Sequence, residues 1–89
     1  MRISRPADTN LLVYPTIVKN GQNYQIAVSL DEPSNIIVRV FDLKGILLQE
    51  MKGNDQSNYQ FTGKGLGPGM YMVVLKTPDT LSSKKIIVN

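Results

Sequence analysis

Hydrophobic residues alternate along this chain with a period of two. Tyr24–Leu30 shows it best: Tyr24, Ile26, Val28 and Leu30 point one way, and Gln25, Ala27 and Ser29 the other. Such alternation marks a half-buried strand. Ile36–Phe41 repeats it, with Ile36, Val38 and Val40 on one face and Ile37, Arg39 and Phe41 on the other. Arg39 between two apolar residues predicts a second face that is only partly covered. Met70–Lys76 puts Tyr71, Val73 and Leu75 inward, and Leu81–Val88 reads as the last strand.

Turn chemistry divides these segments. Leu11–Tyr14 is a short first strand ended by Pro15, which cannot donate to a ladder. Asn20-Gly21 marks a turn, and so does Asp31-Glu32-Pro33-Ser34. Asp42-Leu43-Lys44-Gly45 reads as a hairpin, with Gly45 supplying a positive φ. Ile46–Met51 is its return strand. Lys52–Ser57 reads as a polar loop, Tyr59–Phe61 as a short strand, Gly63–Gly69 as a glycine-rich loop and Thr77–Thr80 as a turn. About seven strands and no helix predict an all-β domain: an immunoglobulin-like antiparallel β-sandwich over residues 11–89. Residues 1–10 are polar and aperiodic, and read as a linker or cloning remnant.

Composition narrows the function. At 89 residues there is room for one core, which buries about 60–65% of the unfolded surface. The chain has neither cysteine nor histidine. Disulfides, thiolate metal sites and His-activated nucleophiles are thereby excluded. The net charge of +3 includes Arg2 and Arg5 of the leader, and is too small and dispersed for a nucleic-acid footprint. No apolar run is long enough to span a bilayer as a helix, and residues 1–10 lack the apolar centre of a signal peptide.

Each candidate for chemistry has a structural explanation. Gly63, Gly65, Gly67 and Gly69 precede a strand, whereas a phosphate cradle needs a helix there. The carboxylates Asp8, Asp31, Glu32, Asp42, Glu50, Asp55 and Asp79 fall mostly in turns, without the spacing of a catalytic pair or calcium loop. Tyr14, Tyr24, Phe41, Tyr59, Phe61 and Tyr71 offer a stacking platform for sugars or bases, but alternation assigns several to a core. Lys84-Lys85 before Ile86-Ile87-Val88 reads either as a guard against edge pairing or as an exposed strand read by a receptor through strand addition. No catalytic, cofactor or metal site is expected.

Several positions together resemble the C-terminal sorting domain of the bacterial type IX secretion system, type A of the Bacteroidetes. Tyr14-Pro15 followed by Gly21 resembles the family's opening motif, although Thr16 and Ile17 stand where the family has Asn and Pro. Asp42 and Gly45 match its Asp-x-x-Gly hairpin, Gly69-x-Tyr71 its Gly-x-Tyr strand start, and Lys84-Lys85-Ile86-Ile87-Val88 its terminal strand. The resemblance implies a non-catalytic signal on a larger cargo protein. Its partners would be an outer-membrane translocon and a sortase-like peptidase, and its route the periplasm and then the cell surface. The residues also allow an immunoglobulin- or fibronectin-like accessory module for adhesion or glycan binding. A small hydrolase is disfavoured by the missing histidine. Asp79-Thr80-Leu81 resembles the short O-glycan acceptor pattern of Bacteroidetes proteins, against a plain turn.

Overall fold

The computed structural model describes residues 10–15 and 17–89; Arg2, Arg5, Asp8 and Thr16 lie outside them. The described residues form six strands and no helix: β1 (Asn10–Tyr14), β2 (Ile17–Val18), β3 (Tyr24–Asp42), β4 (Leu47–Gly63), β5 (Gly69–Lys76) and β6 (Leu81–Val88). β1 starts one residue before the expected domain boundary.

Two polar stretches read as connections are strand. Asp31–Ser34 lies inside the 19-residue β3, and Lys52–Ser57 inside the 17-residue β4. These strands pair with each other along their length, with register shifts between Ser29 and Ser34 and between Ser34 and Ile36. Pro33 falls in that break, where no ladder donor is needed. Side chains pin the irregular stretch: Tyr59 Oη donates to the Ser34 carbonyl at 2.7 Å, and the Asp55 amide donates to Asn35 Oδ1 at 2.9 Å. Four expected strands thus become two long ones. The two-residue β2 was not anticipated, and it pairs in parallel with Ile87 and Val88 of β6.

The long strands carry the chain from one half of the domain to the other. Tyr24–Ser29 of β3 lies between β1 and Asn58–Gly63 of β4. Ile37–Asp42 of β3 lies between the start of β4 and β5, and β5 continues to β6 and β2. The ladders therefore join into one network rather than two separate sheets. β1 touches β6 although no ladder links them, so the two halves close on each other. The expected sandwich is compatible with this arrangement.

The core follows the alternation. Tyr24, Ile26, Val28, Ile36, Val38, Val40, Val73, Leu75, Ile86 and Val88 are buried, together with Leu11 and Val13 of β1 and Val18 of β2. Leu30, Met51, Tyr59, Phe61 and Tyr71 pack around them. Arg39 is half-buried on the opposite face of β3 and pairs with Glu50 at 2.7 Å. That contact, before the smaller influence of Lys52, holds the Glu50 carboxyl below its ordinary value.

The β3–β4 hairpin shows why Asp and Gly sit three apart. The Gly45 amide donates to the Asp42 carbonyl, and Asp42 Oδ1 accepts from the amides of Lys44 and Ile46, both at 2.9 Å. Gly45 has φ +83° with open space around its α-carbon. Gly45→Val is therefore penalised by backbone strain alone, about 1–3 kcal/mol. A urea midpoint equal to the parent's would contradict this.

Candidate functional site

The terminal strand carries the suspected recognition residues, and alternation separates them. Ile86 and Val88 are buried core residues. Lys84, Lys85 and Ile87 are exposed. The two lysines differ in setting. Lys84 stands opposite Val73, whose side chain is fully buried. Directly paired residues share a face, so Lys84 stands on the core-facing side of β6, at its open margin. Lys85 stands opposite Met72 on the outer side. Neither ammonium has a hydrogen-bond or ion-pair partner among the described residues.

β6 is an edge strand along most of its length. β5 pairs with one side throughout, while among the described residues only β2 pairs with the other side, at Ile87 and Val88. The cause lies at the opening motif. Continuing β2 backwards in the same register would lay residues 10–14 along the free side of β6. Pro15 interrupts that path, and residues 10–14 pair with Gln25–Ser29 of β3 instead. Tyr14 is exposed and its hydroxyl accepts from Gln60 Nε2 at 3.2 Å.

The other motif positions are structural. Gly21 has φ +78° in its turn, and its amide donates to the Leu66 carbonyl. The glycine-rich loop docks there: the Gly65 amide donates to Asn23 Oδ1 at 2.9 Å, and a β-carbon on Gly65 would strike the Gly21 carbonyl. Gly69 has φ +149° at the start of β5, and Tyr71 Oη donates to the Gly67 carbonyl at 2.8 Å. Gly-x-Tyr thus ties the loop to the strand it enters. Asn23 and Leu66, which complete this docking, are partners that no local pattern in the sequence picks out.

The aromatic residues form no exposed row. Tyr24 is buried, Tyr59 and Phe61 stack at 5.9 Å beside the core, and Phe41 and Tyr71 are half-buried. Asp79-Thr80 lies in a turn, where the Thr80 hydroxyl is hydrogen-bonded to that of Thr77 at 2.9 Å. Among the described residues no group of three or more His, Cys, Asp or Glu is placed to hold a metal. The outer side of β6 borders a cavity of about 420 Å³ that the pattern did not anticipate, lined by Phe41, Leu43, Met72, Val74 and Leu81 among others.

Fold and site together define a small all-β module with an open terminal strand. A family model, the secretion system C-terminal sorting domain, matches residues 12–89. The chain belongs to that family, and it is a C-terminal sorting signal of type IX secretion. The family is a signal rather than a catalytic one. No curated protein sequence matches the chain. Among solved structures, the superoxide reductase (neelaredoxin) from Ignicoccus hospitalis is similar, with a TM-score of 0.64 and 16% identity over 91% of this chain and 80% of that one. At that identity the likeness shows the fold alone. As a sorting signal, the domain is part of a larger cargo protein bound for the cell surface or secretion.

Proposed function

We propose that residues 11–89 are the recognised unit and residues 1–10 a linker to the cargo. The cargo crosses the periplasm, the outer-membrane translocon reads the domain, and a sortase-like peptidase removes it. Lys84 and Lys85 are the side chains read, with Ile86, Ile87 and Val88 holding them in register. The observation that carries this reading is the pair of exposed lysines, without a partner among the described residues, on an edge strand within the family match. Tyr14, Pro15, Gly21, Asp42, Gly45, Gly69 and Tyr71 shape the frame around that strand. No observation favours the adhesion or glycan-binding reading.

The test is a periplasmic reporter fused to this domain in a host with the type IX system. Lys84→Gln with Lys85→Gln removes both charges and leaves the ladder and the core intact. Surface delivery is expected to fall at least about tenfold, the equivalent of ~1.4 kcal/mol of recognition, with unchanged melting. Deleting residues 84–89 is a poorer test, because it takes Ile86 and Val88 out of the core. Normal delivery of the double Gln variant would defeat the assignment to these lysines.

A further inference from the structure

The free side of β6 has definite hydrogen-bonding polarity. The Asn89 amide donates to the Val18 carbonyl on that side, and the β5–β6 ladder has no register break from Leu81 to Val88. Amides on a strand alternate in direction. Leu81, Ser83 and Lys85 therefore turn their N–H and C=O groups to the open margin, beyond the reach of β2. Among the described residues no strand pairs with them.

Two of them, Leu81 and Ser83, border a largely apolar hollow on the outer face. Phe41, Met72 and Lys85 stand in one row across β3, β5 and β6, and Arg39, Val74 and Ser83 in the next. Ser83, a small residue between Leu81 and Lys85 on this face, lines the cavity of about 420 Å³. Leu81 and Leu43, 71% and 69% exposed, line the same hollow rather than standing singly on the surface. The charge around this margin is cationic. Among the described residues Lys84 and Lys85 have no partner; Glu50 is paired with Arg39, and Asp42, on the far wall of the hollow, is held by the hairpin amides. The nearest carboxylate along β6, Asp79, sits in the preceding turn.

We infer that the open margin of β6 over Leu81–Lys85 takes an extended segment of a partner protein as an added strand, one with carboxylates against Lys84 and Lys85 and an apolar side chain passing over Ser83 into the hollow lined by Phe41, Leu43, Met72, Val74 and Leu81. Backbone groups supply the affinity of strand addition, and alternate side chains the selectivity. The unpaired backbone groups favour a peptide over a lipid surface, which has no use for them. Lys84 and Lys85, on opposite faces, select carboxylates on successive residues of the partner. The inference rests on the sorting reading and names the chemistry of its receptor.

The test uses the 89-residue chain with a labelled ten-residue Leu/Glu peptide in which each Leu is followed by two Glu, a Leu/Lys peptide of the same pattern and length, and phosphatidylglycerol vesicles. The Leu/Glu peptide is expected to bind and to protect the Ser83 and Lys85 amides from exchange. The Leu/Lys peptide should bind at least about tenfold more weakly. Ser83→Pro removes one outward donor at no cost to the β5 ladder, and should weaken binding about fivefold. Ser83→Trp blocks the hollow and should do the same or more, and melting curves confirm that each variant is folded. Failure of the Leu/Glu peptide to bind overturns the inference. Equal binding of the two peptides overturns it too, as does full binding by folded Ser83→Pro and Ser83→Trp. Vesicle binding without peptide binding overturns it in favour of a lipid surface. The reporter fusion separates the two claims. No delivery of the intact fusion defeats the sorting reading. Delivery of the intact fusion and of its Ser83→Pro form, without peptide binding, defeats this inference alone.

Discussion

Gly63→Val is expected to destabilise the domain by about 3 kcal/mol or more, at the upper end for overpacking a core. Gly63 pairs directly with Tyr24 across β3 and β4. It is buried, and a β-carbon there would fall on the Tyr24 ring. That ring is 1% exposed and is walled in by the core. It cannot swing aside as a surface side chain does, so either the ladder separates or the ring leaves its place. For a domain of this size the change corresponds to roughly 12–24 °C in Tm. Gly67→Ala is the control, since a β-carbon there meets nothing within 4 Å and no positive φ is involved. Adding a β-carbon should thus be severe at one glycine and silent at the other. Equal melting of Gly63→Val and Gly67→Ala would show that the Tyr24 ring is not locked.

The contrast between these glycines also shows where the sequence is legible. Positive-φ glycines sit in turn contexts that local chemistry identifies, as at Asn20-Gly21 and Asp42-x-x-Gly45. Gly63 looked like the start of a loop, because its reason for being glycine is a ring 39 residues earlier in the chain. Long-range contact of that kind leaves no local periodicity. Likewise Asp31–Ser34 and Lys52–Ser57 read as loops because alternation becomes visible only where one face is buried. There the β3–β4 ribbon projects beyond the core, and most of its side chains are exposed. Its regularity comes from backbone pairing and from Tyr59, Asn35 and Ser34, not from an apolar stripe.

The site was legible to the same extent. Lys84 and Lys85 stood out as paired charges before an apolar run, and the structure leaves both exposed. That β6 is open along Leu81–Lys85 was not readable, because it depends on a two-residue parallel strand and on β1 being diverted to β3. A pair such as Ile17–Val18 is too short to show any period. The hollow beside Ser83 has the same origin: Leu43, Met72 and Leu81 come from three different elements, and only the register brings them together.

Tyr24 should make the domain sensitive to alkali. Its hydroxyl is buried without a hydrogen-bond partner, and its pKa is pushed from 10.0 to about 12, first by burial and second by the neighbouring Tyr71. A phenol with a raised folded-state pKa holds its proton longer in the fold than in the unfolded chain. The folded state therefore binds more protons between pH 10 and 12, and stability falls as pH rises through that window. The stabilisation is intact below pH 10 and is lost by about pH 12, for a total of roughly 2–3 kcal/mol. Tyr24→Phe removes the titrating group together with an unsatisfied polar atom from the core. At neutral pH the variant should be as stable as the parent or up to about 1 kcal/mol more so, since an unpaired buried hydroxyl is a cost. Above pH 10 it should lose less stability than the parent does. Urea midpoints of both proteins at pH 8, 10 and 11.5 decide the matter. If the two midpoints fall in parallel from pH 10 to pH 11.5, Tyr24 is not the group behind the alkaline loss.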